Sequence, residues 1–220
     1  MLRKILTGLV LVVLVVAAIL LAAGFILTRA SFPQERGEVS LAGLNAAVDV
    51  YRDSFGIPHI YAQTSHDLFF AQGYVHAQDR FYQMDFWRHI GAGRLAEMFG
   101  ESSLGNDQFL RTLGWAQVVE QEWEQASPEV RAILEAYAEG VNAYLQDHQG
   151  RGLSLEYVVM GLINPDYAPE PWAPADTLLF AKVMTWNLGQ NLSEIVQRSE
   201  LLGVITPEEL GELVPEYPAD

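Results

Sequence analysis

The stretch YRDSFGIPHIYAQTSHDLFFAQGYVHAQDRFYQMD, residues 51–85, decides the fold, because it passes from hairpin chemistry to helical periodicity within a few residues. Asp53-Ser54-Phe55-Gly56 has the composition of a tight turn. It lies between two short extended segments: Ala47–Tyr51, with Val48 and Val50, and His59–Ala62, which follows the Gly56-Ile57-Pro58 turn. From Ser65 onward the pattern is helical. Ser65 suits a helix cap, with Asp67 well placed in the first turn. Phe70, Tyr74, Ala77, Phe81 and Met84 then recur at spacings of three and four, which gives one apolar face.

Downstream the helical signal continues. Gly91 and Gly93 interrupt the first helix, and Gly100 ends its continuation. Ser127-Pro128-Glu129 is a helix start with proline at the first helical position. Val130, Ile133, Leu134, Tyr137, Val141, Tyr144 and Leu145 form the buried stripe of that helix, and Gly150 lies just past its end. Pro165, Pro169, Pro171 and Pro174 mark residues 163–174 as an ordered connection. Thr177 to Leu188 is apolar nearly all round, with Lys182 its only charge, and predicts a buried helix. Thr206-Pro207-Glu208-Glu209 joins proline at the first helical position to a capping box, and Pro215 and Pro218 make the last residues extended. The fold class is therefore mainly α with a few short strands. Two short strands make no independent sheet and require partners that this chain does not supply.

Upstream, residues 5–28 carry no charge at all. These 24 residues reach about 36 Å as a helix, against a hydrocarbon core of about 30 Å. The run is longer than the apolar region of a cleaved signal peptide, although Ala22-Ala23-Gly24 resembles a cleavage site. The reading is an N-terminal membrane anchor or signal segment over residues 1–30, a tether over 31–45 and a body over 46–220. Arg3 and Lys4 place the N-terminus in the cytoplasm and the body outside it, in the periplasm or extracellular space; Arg29 on the other flank weakens that bias. If residues 1–30 are cleaved, the body is secreted.

All 28 acids and ten of the 13 bases fall after residue 30, a formal charge of −18 on the body. Such a surface repels phosphate backbones, so nucleic acid is not an expected partner. The absence of cysteine rules out disulfides, thiol catalysis and Cys-based zinc sites. No Gly-x-Ser-x-Gly elbow or His-Glu-x-x-His is present. Asp85 and His89, four apart, fit a shared metal or, more simply, a helix-surface ion pair. His76-Ala77-Gln78-Asp79-Arg80 reads as a buried network in which Asp79 pairs an arginine and His76 bonds a backbone carbonyl. Residue chemistry alone thus stops at a membrane-anchored, acidic, helical domain without a visible active site.

The run Tyr51–Ile60 resembles the opening of the penicillin acylase family, in which a strand, a D-x-x-G-I-P-H-I turn and a second strand begin the mature protein. The similarity continues through Asp67–Arg80, Gln83-Met84-Asp85, Gly93–Gly100, Ala136–Tyr144 and the Trp172-containing connection. It covers residues 45–218. The family includes β-lactam acylases, homoserine-lactone acylases and related amidases, and the resemblance fixes the family far better than the substrate.

What the resemblance implies is an N-terminal-nucleophile amidohydrolase acting on small N-acylated substrates. The precursor cuts itself into an α chain and a longer β chain, which together complete an αββα fold. A serine at the new β-chain N-terminus attacks the amide, with its own α-amine as base. The serines here (Ser31, Ser40, Ser54, Ser65, Ser102, Ser103, Ser127, Ser154 and Ser193 among them) all lie in α-type sequence. The nucleophile is therefore expected downstream of Asp220, and no catalytic residue is assigned within the chain, which alone is expected to be inactive. Ser193-Glu194-Ile195 matches the position of a carboxylate that many members lend to a structural calcium ion shared with the β chain, which makes Glu194 the metal candidate; a solvated helix glutamate is the alternative. No organic cofactor is implied. Met184 matches a pocket methionine, and Asn187 and Leu188 fall where penicillin G acylases carry arginine and phenylalanine. These substitutions put phenylacetyl-type specificity in doubt, and core packing explains Met184 and Leu188 equally well. The competing function is a non-catalytic, membrane-anchored acidic binding or scaffold domain that reuses the acylase α architecture.

Overall fold

The computed structural model describes residues 2–30, 32–189 and 192–214; the side chains of 2–5, 27, 28, 30, 151 and 192–194 fall outside the description. The extended ending expected around Pro215 and Pro218 lies outside the described residues. Two compact units divide at Phe180 and Ala181, and each is taken by itself.

In the first unit, helix α1 (Leu2–Ala30) contains a 21-residue apolar span, Leu6–Ile26, with none of it buried. Strands β1 (Asp49–Arg52) and β2 (Pro58–Tyr61) pair antiparallel, with Asp49 opposite Tyr61 and Arg52 opposite Pro58. The turn is built by Asp53, whose Oδ1 accepts from the backbone N–H groups of Phe55 and Ile57, both at 2.9 Å, while Gly56 takes a φ of +79°. Both strands run slightly past the expected segments towards the turn. The hairpin is fastened to the next helix by Arg52, which reaches both oxygens of Asp79 at 2.8 Å and Gln78 at 3.2 Å.

Helix α2 (Ser65–Ala92) is capped by Thr64, whose hydroxyl accepts from the Asp67 N–H; Ser65, the expected cap, is the first helical residue. The helix kinks at Arg80 and ends at Gly93 in the left-handed region, so Gly91 does not interrupt it. A single turn, α3 (Ala96–Phe99), ends at Gly100 as expected. Helices α4 (Leu104–Leu113) and α5 (Trp115–Gln125) follow. Helix α6 (Pro128–Asp147) starts as its sequence predicts, with Ser127 accepting from the Val130 N–H. Val130 itself is exposed rather than part of the buried stripe, because it sits in the first turn, ahead of the face that meets α2. Helix α7 (Leu155–Ile163) precedes the proline-rich connection, and α8 (Pro174–Leu188) begins three residues before the expected Thr177.

The core of this unit is the crossing of α2 and α6. Phe70, Tyr74, Ala77, Phe81 and Met84, the face read from the sequence, are all buried. Tyr74, Ala77, Phe81 and Met84 meet Ala138, Val141 and Tyr144 of α6, with Leu153, Tyr157 and Trp172 closing the cluster. The close approach depends on two glycines facing opposite ways. A Cβ on Gly73 would lie 2.1 Å from the Tyr137 carbonyl oxygen, and one on Gly140 would lie 1.8 Å from that of Phe70.

The second unit holds the end of α8, then α9 (Leu192–Leu201) and α10 (Pro207–Leu213). The expected capping box is present: Thr206 accepts from the Glu209 N–H at 3.2 Å, and the Glu209 carboxylate accepts from the Thr206 N–H at 2.9 Å.

Candidate functional site

The nucleophile can be sought first among the serines. Ser127 is occupied as a helix cap, the Ser102 hydroxyl donates to the Phe99 carbonyl, and Ser154 Oγ is buried without a partner. Among the described residues no serine hydroxyl bonds a histidine or a carboxylate, so the geometry of an activated serine is not assembled there.

The histidines bond local partners, His66 among them with Asp67 at 3.2 Å. His59 lies 3.4 Å from Asp53 across the hairpin turn, and His148 stacks on Tyr144 at 4.1 Å with its Nδ1 on that residue's carbonyl. His76 bonds the Tyr137 hydroxyl at 3.0 Å, not a backbone carbonyl, because α6 brings that phenol across the crossing. Asp79 does pair an arginine, Arg52.

Asp85 and His89 are a larger correction. They do not lie on the helix surface, since Asp85 is 0% and His89 2% exposed. Asp85 Oδ1 accepts from Arg88 Nε at 2.8 Å, and Oδ2 accepts from the hydroxyls of Tyr157 at 2.7 Å and Tyr167 at 2.5 Å. His89 Nδ1 donates to the Asp85 carbonyl at 2.8 Å. Arg88 spends its remaining donors on the carbonyls of Glu170 and Pro171 and on Asp176. Burial pushes the Asp85 carboxyl up, but the bonds and charges of His89, Arg88 and Tyr167 outweigh it and hold the carboxyl below the ordinary range. Burial, and then the Asp85 charge, raises both tyrosines well above theirs. A carboxylate saturated by a guanidinium and two phenols has no lone pair aimed at a metal. This network fixes the proline-rich connection and the first turn of α8 to α2. Asn142 completes it by exchanging two bonds with the Trp172 backbone, at 2.7 and 2.9 Å.

Within the second unit, Met184, Asn187 and Leu188 stand at i, i+3 and i+4 and therefore share one face of α8. Met184 is half-buried, Asn187 is exposed and Leu188 is 78% exposed. The buried helix expected from its composition thus loses its cover towards its C-terminus, where Trp186 is exposed as well. The Glu194 side chain lies outside the described residues. Among the described residues no three His, Asp or Glu groups converge as a cation cage.

Among the described residues, cavities are found in the first unit. One of about 850 Å³ is lined by Asn142, His148, Tyr157, Met160 and Tyr167, and one of about 530 Å³ lies among residues 34–39, β1 and α2. Neither is lined by a residue singled out as a substrate contact.

Comparison with known proteins joins these observations. The sequence profile of the penicillin amidase family matches residues 47–219. The acyl-homoserine lactone acylase QuiP of Pseudomonas aeruginosa is 37% identical over 188 residues, 86% of this chain and 22% of that protein. The penicillin acylase 2 proenzyme of Pseudomonas sp. strain SE83 is 40% identical over 146 residues, covering 66% and 18%. Penicillin G acylase of Escherichia coli is 31% identical over 155 residues, covering 69% and 18%. Among solved structures, a chain of thermostable penicillin G acylase from Alcaligenes faecalis superposes with a TM-score of 0.59 at 29% identity, over 79% of this chain and 95% of that one. The chain spans roughly a fifth of the length of the curated relatives it matches.

Proposed function

The chain belongs to the penicillin amidase family, and from that premise we propose that it forms the α part of an amidohydrolase that cleaves small N-acylated amides, its catalytic serine lying on a β part beyond the 220 residues. The observation that carries this reading is the match to acylases over 86% of the chain, in a polypeptide that spans 22% of such a relative. In the proposed reaction the β-chain serine hydroxyl adds to the amide carbonyl and passes its proton to the serine's own α-amine. That amine suits the role, since its pKa of about 7.7–8.0 keeps roughly a tenth or more of it as free base near neutral pH, where a lysine amine at about 10.4 has almost none. The amine product leaves with the proton, an ester to the serine remains, and water releases the acid.

The residues offered by this chain are Met184 and Leu188 as an apolar wall for the acyl group and Asn187 as the polar member of the same face. The open edges of the two-stranded hairpin support completion by strands from the β part, as an αββα fold requires. Helix α1 serves as an uncleaved anchor with the body outside the cytoplasm, supported by its 21-residue apolar span and by Arg3 and Lys4 at its start. Calcium would take Glu194 as one ligand and the rest from the β part, since the described residues build no cage.

The experiment is to read the coding sequence after Asp220 and express the whole frame. The expected result is a precursor that cuts itself, a new chain beginning with serine, and release of free amine from an acyl-homoserine lactone or a penicillin. A precursor that folds but never cuts itself, or a stop codon directly after Asp220, would overturn the reading.

A further inference from the structure

Helix α7 is apolar on two faces. Tyr157 and Met160 point into the core, while Leu155, Val159, Leu162 and Ile163, at i, i+4, i+7 and i+8, share the opposite side and are exposed, Leu162 by 81%. Glu156 is the helix's single carboxylate, and it carries no base. A helix apolar all round belongs in a protein core or in lipid. Its neighbour indicates which: α1 comes close to α7 and to the 3-10 turn at Gly150–Gly152 that precedes it, while its own apolar span stays unburied. Among the described residues α1 is also the one helix long and apolar enough to cross a bilayer.

We infer that α7 rests on the bilayer beside α1, with Leu155, Val159, Leu162 and Ile163 dipping into the boundary between headgroups and acyl chains. The inference rests on α1 remaining as an anchor. It fits the charge of the body, because a surface at −18 is repelled by anionic lipid and can meet the membrane only through a neutral face. An anchor alone leaves the body free to swivel. A second, in-plane contact would hold it in one orientation towards the membrane.

The absence of cysteine makes the test clean, since one introduced thiol carries one environment-sensitive fluorophore. Val159→Cys and Leu162→Cys report on the face, and Gln108→Cys on the exposed surface of α4 is the reference. The labelled full chain is placed in vesicles of phosphatidylethanolamine with a minority of phosphatidylglycerol, with and without brominated acyl chains. Flotation with the vesicles reads the anchor; quenching reads the face. The expected result is blue-shifted emission at 159 and 162, quenched by brominated tails about twofold more than at 108, as for a helix seated roughly 5–10 Å into the boundary. Flotation with equal quenching at all three positions would sink this inference and leave the anchor standing. A chain that does not float loses both. A blue shift that follows protein concentration or an added downstream chain, without lipid quenching, makes the face a protein interface and refutes lipid contact.

Discussion

At positions 73 and 140 a hydrogen atom stands where any other residue would place a methyl group, and this sets how closely α2 and α6 approach. The atoms in the way are backbone carbonyl oxygens, at 2.1 and 1.8 Å from the added Cβ, and these cannot rotate aside as a side chain would. Gly140→Ala must therefore push the helices apart. It should cost about 3 kcal/mol, towards the upper end for overpacked cores, read from the urea midpoint of the chain in mild detergent. Gly161→Ala is the control: nothing lies within 4 Å of its Cβ, so the substitution should gain roughly 0.5–1 kcal/mol. Equal gains at both positions would mean that helix propensity, not contact, governs the glycines. Asp67 makes a second case. The Asn45 backbone N–H, against the opposing effect of enclosure, and then His66, Thr64 and the Asn45 side chain bring its pKa down to about 2. A folded-state pKa below the unfolded value of about 3.9 means that the group stabilises the fold at neutral pH. That contribution fades as pH falls from roughly 4 to 2. Asp67→Asn should be less stable than the parent at pH 7, and the gap should close across that window. A gap constant with pH would show that the carboxylate's charge is irrelevant.

Elements were legible where a local signal sufficed. The Asp53–Gly56 turn, the Ser127-Pro128 start, the Thr206 capping box and the stripe from Phe70 to Met84 each depend on residues within a few positions of one another, and all are found in the structure. The serines ahead of α4 and α7, Ser103 and Ser154, make no capping bond, α5 starts from Gly114, and α7, apolar on both sides, has no period to read. The buried centre around Asp85 escaped notice for a different reason. Its partners Tyr157, Tyr167 and Asp176 lie 72 to 91 positions away, so only the fold reveals that a seemingly superficial Asp-x-x-x-His pair is interior. That network joins four segments, and its parts should act as one. Asp85→Asn leaves the Arg88 charge with Asp176 alone, at 3.3 Å, and should cost about 3 kcal/mol, while Arg88→Met strands the buried carboxylate and should cost about 3–5 kcal/mol. The double variant should recover part of the combined loss, because it leaves neither charge unpaired. Additive losses in a urea double-mutant cycle would show that the two residues do not share a network.

At the scale of the whole molecule, the first unit has its core at the crossing of α2 and α6, and each unit leaves apolar residues exposed. The hairpin tip exposes Phe55 and Ile57, and the face bearing Met184, Asn187 and Leu188 has no cover at its outer end. The residues expected to touch substrate could be named from the resemblance, but their surroundings could not, because on the proposed reading the groups facing them come from the β part. This asymmetry separates stability from function at Leu188. A side chain 78% exposed contributes little to folding, so Leu188→Asp should shift the unfolding free energy of this chain by no more than about 0.5 kcal/mol. In the assembled enzyme the same carboxylate would face an apolar acyl group and lose its hydration there. Activity of the Leu188→Asp enzyme should then fall through KM more than through kcat, and more for long acyl chains than for short ones, since each buried methylene contributes about 0.8 kcal/mol. The measurement is a series of N-acyl substrates differing only in chain length, assayed with the self-processed parent and the variant. A variant with unchanged KM across the series would remove Leu188 from the pocket. A large loss of stability in the isolated chain would return it to the core, where its composition alone first placed it.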